Sequence, residues 1–110
     1  MNKGIKTVLY PVTDMEQSKT LFASFLQVEP YVDTPYYIGF KVENQDIGLI
    51  PNSPEGGAVA FFHVDDIKQS LQVLTDGGTT VIRTISDVGG GRLVASVKDT
   101  SGNVIGLIQD

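Results

Sequence analysis

The tetrapeptide Ile-Gly-Leu-Ile occupies Ile47–Ile50 and occurs again at Ile105–Ile108. A second pair lies upstream, where Val12–Ser18 reads Val-Thr-Asp-Met-Glu-Gln-Ser and Val64–Ser70 reads Val-Asp-Asp-Ile-Lys-Gln-Ser. Self-similarity along a chain indicates a repeated structural unit. The sequence therefore predicts one domain over residues 1–110, with unit 1 at about 1–51, a linker at 52–57 and unit 2 at about 58–110.

Hydrophobic periodicity predicts the same element order in both units, a strand, a helix and three more strands. The short pair Tyr31-Val32 is the weakest strand of the set. This βαβββ order, taken twice, predicts an α+β fold. The other predicted strands are Ile5–Val12, Tyr36–Val42, Asp46–Ile50, Ala58–Val64, Thr79–Ile85, Arg92–Lys98 and Asn103–Ile108.

Each helix has its own start signal and apolar stripe. Thr13 with Glu16 fits a capping box for the first helix, and Asp65 or Asp66 can cap the second. The pair Gly77-Gly78 predicts a left-handed end for the second helix. The predicted stripes are Met15, Ser18, Phe22, Phe25 and Leu26 in the first helix, and Ile67, Leu71 and Leu74 in the second.

Composition excludes several classes of function. The chain has 41% hydrophobic and 19% charged residues and a net charge of −5, which is globular and a poor match to a nucleic-acid binder. No apolar run is long enough for a bilayer and no signal peptide is visible, so we expect no membrane partner. Cysteine is absent, which excludes thiolate chemistry and makes the cytoplasm the default location.

Two motifs carry a family resemblance that covers the whole chain. Asp99–Leu107 reads Asp-Thr-Ser-Gly-Asn-Val-Ile-Gly-Leu, and Val64–Ile67 reads Val-Asp-Asp-Ile. With the repeat, they resemble the vicinal oxygen chelate superfamily, which contains glyoxalases, bleomycin-resistance proteins and extradiol dioxygenases. The resemblance implies a curled mixed sheet with a concave cleft that holds a ligand.

The metal enzymes of that superfamily hold a divalent ion through His on the first strand of a unit and Glu on its last strand. The corresponding positions here are Thr7, Val59, Gly48 and Gly106. None of these side chains is a strong ligand for a first-row metal, which prefers imidazole, carboxylate or thiolate. We therefore predict no metal site and no cofactor.

The resemblance and strand alternation place the candidate ligand-binding residues on the cleft face. Glycine at 48 and 106 has two interpretations, space for a bulky ligand or close packing of strands. His63, the only histidine, is a candidate acid–base or hydrogen-bonding group, or simply a polar residue at a strand end. The predicted ligand-binding set is Thr7, Leu9, Gly48, Phe61, His63 and Gly106.

The loop Gly89-Gly90-Gly91 followed by Arg92 gives a weak anion-binding signal through backbone amides. It lacks the lysine and helix of a phosphate loop, so a hairpin tip or a lid is the preferred interpretation. Arg83 and Arg92 read as solvated surface charges.

Three functions remain open from the sequence. The preferred one is a metal-independent protein that binds or sequesters a small organic molecule. The second is a metal-free lyase or isomerase that uses His63 or a tyrosine, and the third is an interaction subunit with a degenerate cleft. Exposed sheet edges and the resemblance both favour a homodimer.

Overall fold

A computed structural model describes residues 2–110 of the chain. These residues form eight strands and two helices, so the predicted α+β class is confirmed. No helix within them is long and apolar enough to span a bilayer. The elements are β1 (Asn2–Pro11), α1 (Met15–Leu26), β2 (Val32–Asp33), β3 (Ile38–Val42), β4 (Gln45–Ile50), β5 (Val59–Val64), α2 (Ile67–Asp76), β6 (Thr80–Asp87), β7 (Leu93–Lys98) and β8 (Val104–Gln109).

All eight strands belong to one mixed sheet in the order β2-β3-β4-β1-β5-β8-β7-β6. The sheet is open, with β2 and β6 at its edges. At its centre β1 pairs antiparallel with β5, which joins the N-terminal half (β1 to β4 with α1) to the C-terminal half (β5 to β8 with α2). Each central strand also has a parallel partner, β4 for β1 and β8 for β5.

An aspartate caps each helix. Asp14 Oδ1 accepts a hydrogen bond of 3.0 Å from the Gln17 backbone N–H, so the prediction that Thr13 caps α1 is wrong by one residue. Asp66 caps α2 in the same way, at 3.1 Å from the Gln69 backbone N–H. Satisfying one of the free N–H groups of a first helical turn is the usual reason for an aspartate at this position.

The two helices cover one face of the sheet. Beneath α1 lie Ile38, Phe40 and Leu49, and beneath α2 lie Val64, Ala95 and Leu107. The predicted stripe of α2 is confirmed, since Ile67 is buried and Leu71 and Leu74 pack with it.

The predicted stripe of α1 is wrong at Phe25, whose exposed fraction is 78%. Ala23 packs on the sheet in its place. Phe25 is two residues further on, roughly 200° around the helix, and therefore points outward.

The opposite face of the sheet carries a third apolar cluster. It consists of the buried residues Val59, Phe61, Val94 and Ile108, with Leu9 packed against them. No helix within residues 2–110 covers this face, so its side chains border open space and position the candidate site.

Two local features modify the predicted strand ends. β3 begins at Ile38 and not at Tyr36, because Thr34 Oγ1 accepts hydrogen bonds from the backbone N–H groups of Tyr36 and Tyr37 and forms a turn. Between β6 and β7, Gly89, Gly90 and Gly91 all have positive φ. These glycines form the hairpin tip that brings Arg92 back toward the sheet.

Candidate functional site

The four positions at which the resemblance places the metal ligands lie on one face of this sheet. Leu9 pairs with Gly48 on one side and with Val59 on the other, and Phe61 pairs with Thr7 and with Gly106. Directly paired residues point to the same side of a sheet, and so do residues two apart along a strand. Thr7, Gly48, Val59 and Gly106 therefore all face away from the helices.

The residues present do not fit a metal ion at this place. A Cβ atom at Gly48 would lie 2.5 Å from Leu9 Cδ2 and 2.7 Å from Tyr37 Oη, and one at Gly106 would lie 2.6 Å from Phe61 Cδ1. The space left by each missing side chain is thus filled by side chains of the same protein. Within residues 2–110, no three His, Cys, Asp or Glu side chains are grouped to hold a metal.

Above this face lies a cavity of about 550 Å³, here called the central cavity. Its volume is in the range typical of small-molecule sites. The N-terminal half contributes Thr7, Leu9, Tyr31, Tyr36, Tyr37, Asp46 and Ile50, and the connection between the halves contributes Pro51, Asn52 and Pro54. The C-terminal half contributes Phe61, Arg83, Val88, Arg92, Val94 and Ile108.

Tyr31 and Asp46 of the N-terminal wall form a polar cluster with Lys41. The Tyr31 hydroxyl donates to Asp46 Oδ1 at 3.2 Å, and Lys41 Nζ lies 3.5 Å from the same oxygen. Burial raises the pKa of Tyr31 to about 12 and also raises the pKa of Tyr37, with the charge of Asp46 adding to both. Both phenols therefore keep their protons at neutral pH and can donate hydrogen bonds.

Beside Arg83 of the C-terminal wall lies a buried carboxylate, which the connection between the halves supplies. The Glu55 side chain is 2% exposed, and its oxygens accept hydrogen bonds from Ser96 Oγ at 2.7 Å and from Ser53 Oγ at 3.2 Å. Arg83 Nε lies 3.7 Å from Glu55 Oε2. A buried charge needs such partners, and these contacts fix the connection against β6 and β7.

A second cluster surrounds Asp110. Arg92 Nε donates to its Oδ1 at 2.9 Å, Lys6 Nζ donates to Oδ2 at 3.0 Å, and His63 Nε2 lies 3.3 Å from Oδ2. The hydrogen bond from Lys6, supported by the one from Arg92, lowers the pKa of Asp110. His63 is therefore held at the end of β5 by a carboxylate.

The predicted ligand-binding residues divide between two places. Thr7, Leu9 and Phe61 line the central cavity, and Gly48 and Gly106 lie beneath its lining side chains. His63 points to the same side of the sheet but lines a separate polar cavity of about 420 Å³ with Lys3, Lys6 and Lys41.

Several lining residues are outside the predicted ligand-binding set. Strand alternation would have found Asp46, which is two residues before Gly48 and shares its face. Tyr31 and Tyr37 lie beside a two-residue strand and a turn, where no periodicity assigns a face. Arg83 and Arg92 line the cavity and are not free surface charges.

Comparison with known proteins identifies the family of the chain. Residues 4–107 match the model of the Glyoxalase/Bleomycin resistance protein/Dioxygenase superfamily. The chain belongs to this superfamily. The family resemblance inferred from the sequence motifs is thereby confirmed. No curated protein matches the chain.

Solved structures similar to this superfamily member share its fold at low identity. A glyoxalase/bleomycin resistance protein/dioxygenase superfamily member from Vibrio splendidus 12B01 has a TM-score of 0.75 at 15% identity, covering 100% of this chain and 99% of that chain. Methylmalonyl-CoA epimerase from Mycobacterium tuberculosis has a TM-score of 0.73 at 15% identity, covering 98% and 88%. A variant of the Streptomyces coelicolor epimerase in complex with 2-nitronate-propionyl-CoA has a TM-score of 0.76 at 12% identity, covering 100% and 96%.

Proposed function

We propose that this protein binds a small organic molecule in the central cavity without the help of a metal ion. The observation that carries the proposal is the cavity of about 550 Å³, which lies on the face where the resemblance places the metal ligands of the family enzymes. Leu9, Phe61, Val94 and Ile108 belong to its apolar lining, and three tyrosines, Asp46 and two arginines supply most of its polar groups. That composition is typical of sites that bind a small molecule by shape and fix its orientation with a few hydrogen bonds.

The same proposal includes two tandem βαβββ units and a cleft between them in a single domain of residues 1–110. Outward from the centre, the strands run β1-β4-β3-β2 on one side and β5-β8-β7-β6 on the other. In both directions the first pairing is parallel and the next is antiparallel. This correspondence supports units at about 1–51 and 58–110, with the linker 52–57 closing one side of the cleft.

A neutral fluorescent probe, N-phenyl-1-naphthylamine, tests the binding site directly. Tyr36 lines the cavity and is 79% exposed, so Tyr36→Ala should weaken probe binding several-fold without disturbing the fold. Phe25→Ala is the matched control, since Phe25 is equally exposed but lies on α1. Equal effects of the two substitutions, or no probe binding by the wild-type protein, would reject the proposed site.

Metal analysis of the purified protein tests the second half of the proposal. We expect no stoichiometric transition metal, and we expect probe binding to be unchanged after treatment with a chelator. A bound metal at one per chain, together with loss of binding on chelation, would overturn the metal-free proposal.

A metal-free isomerase or lyase is the second candidate, and a contact in the cavity favours a tyrosine over His63. The Tyr31–Asp46 pair lines the central cavity, whereas His63 does not. A carboxylate that removes a proton next to a phenol that donates one is a common acid–base arrangement.

The structural neighbours suggest methylmalonyl-CoA as a first test compound for this activity. In D₂O, an isomerase would incorporate deuterium at the carbon between its two carbonyl groups, which NMR detects. Tyr31→Phe should then slow exchange at least tenfold, and His63→Gln should leave it unchanged. If the wild-type protein exchanges no faster than buffer, this activity toward methylmalonyl-CoA is excluded.

We also propose a homodimer located in the cytoplasm. Two sheet edges, β2 and β6, are available for pairing, and α1 exposes Leu21 and Phe25 to solvent. Such edges and apolar side chains are commonly covered by a second chain. Sedimentation equilibrium should give twice the monomer mass at micromolar concentration, and a monomer mass would contradict this.

A further inference from the structure

The chain contains two arginines, Arg83 and Arg92, and both line the central cavity. They come from different elements, Arg83 from β6 and Arg92 from the hairpin that follows it. A guanidinium group carries five N–H donors in a rigid plane and keeps its charge at any physiological pH. The free donors of these two residues therefore decide which ligand the cavity can accept.

Arg83 retains most of its donors. Its contact with Glu55 is 3.7 Å long, beyond hydrogen-bond distance, and the two serine hydroxyls already satisfy the carboxylate. Within residues 2–110, the Nη nitrogens of Arg83 donate no hydrogen bond. Glu55 thus holds the guanidinium group of Arg83 in place, and the Nη N–H groups of Arg83 remain available to a ligand.

Arg92 is only partly neutralised. Its Nε donates to Asp110, but that single carboxylate also accepts from Lys6 and lies against His63. Burial raises the pKa of Tyr31 and of Tyr37, and the positive charge of Arg92 acts in the opposite direction on both. The charge of Arg92 therefore reaches the opposite wall of the cavity.

The remaining charged lining residue, Asp46, is already paired. It accepts a hydrogen bond from Tyr31 and lies 3.5 Å from Lys41 Nζ. Among the charged lining residues, the unused hydrogen-bonding groups are therefore the N–H donors of the two guanidinium groups.

We infer that the ligand of the central cavity is an organic anion, with an apolar body against Leu9 and Phe61 and a carboxylate, sulfonate or phosphate group at Arg83, assisted by Arg92. This inference rests on the proposed binding function and adds the chemical class of the ligand. Charge-assisted hydrogen bonds of guanidinium to such groups are the strongest that side chains make.

Two probes that differ by one anionic group test the inference. N-phenyl-1-naphthylamine is neutral, and 8-anilinonaphthalene-1-sulfonate is the same ring system with a sulfonate. We expect the sulfonate to bind wild-type protein at least tenfold more tightly, and each probe to displace the other. In Arg83→Gln the ratio of the affinity for the sulfonate to the affinity for the neutral probe should fall by about tenfold. In Arg92→Gln the same ratio should fall by a smaller factor.

Lys68→Gln is the matched control, because it removes the same charge from an exposed position on α2. It should leave both affinities within twofold of wild type. If Arg83→Gln does not fold, salt provides the second measurement, since ionic screening should weaken binding of the sulfonate to wild-type protein but not binding of the neutral probe.

The outcomes separate this inference from the proposed function. Equal binding of the two probes by the wild-type protein, or equal losses in Arg83→Gln and Lys68→Gln, would overturn the anion assignment and leave small-molecule binding standing. Failure of both probes to bind would overturn the binding function and the anion assignment together.

Discussion

Gly106→Ala tests whether the ring of Phe61 packs directly against the backbone of β8 at Gly106. The new Cβ would lie 2.6 Å from Phe61 Cδ1, 2.8 Å from Cγ and 2.9 Å from Cε1, and real Cβ contacts essentially never fall below 3.0 Å. Phe61 is 2% exposed and packs with Val59, Val94 and Ile108, so its ring can move away only by giving up those contacts and entering the central cavity. Overpacking of this kind costs about 1–3 kcal/mol.

Thermal unfolding followed by circular dichroism is a suitable assay. At about 4–8 °C per kcal/mol for a domain near this size, Gly106→Ala should lower the Tm by at least about 4 °C. Gly57→Ala is the control, since a Cβ at Gly57 has no atom within 4 Å and its φ is not in the left-handed region. A Tm for Gly106→Ala equal to that of Gly57→Ala would refute the seating of Phe61 on this glycine.

The remaining predictions concern a helix cap, a buried hydroxyl and a hairpin turn. Asp14→Ala should cost about 1 kcal/mol of unfolding free energy in urea, whereas Thr13→Ala, which removes no cap, should cost much less; the reverse order would restore Thr13 as the cap. Ser96→Ala removes the 2.7 Å hydrogen bond to a buried carboxylate and should cost about 1–3 kcal/mol in the same assay, so an unchanged midpoint would contradict that bond. Hydrogen bonds from the Asn103 side chain and from backbone N–H groups lower the pKa of Asp99 in the folded protein. The contribution of Asp99 to stability is therefore complete above its unfolded pKa of about 4, and it is lost as the pH falls through its folded pKa. Asp99→Asn should therefore be less stable than wild type at pH 7, with a difference in Tm that shrinks toward pH 2, and a pH-independent difference would contradict this.

The sequence predicted the elements well because each has a local cause. A run rich in β-branched residues defines β6, and an aspartate with a following apolar stripe defines α2. Errors arose where two adjacent residues satisfy the same rule, as with Thr13 and Asp14, since only the observed hydrogen bond distinguishes them. The position of Phe25 depends on how α1 is rotated against the sheet, which periodicity alone does not fix.

The candidate site was predictable only in part. The strand residues Thr7, Leu9 and Phe61 follow from alternation, because a strand residue's face is determined by its neighbours. Glu55 lies in a connection rich in proline and glycine, where the chain path and not the periodicity brings its carboxylate to Ser96. Contacts between residues 41 positions apart are set by the complete sheet and have no local signature.

The side chains that cover the strand glycines restrict how this protein can acquire an ion site. A glutamate introduced at position 106 alone would meet the ring of Phe61, and one introduced at 48 would meet Leu9 and Tyr37. The first step would lower stability before any coordination became possible. Engineering a catalytic metal into this scaffold therefore requires exchanging the overlying residue and the glycine together, in both halves of the sheet.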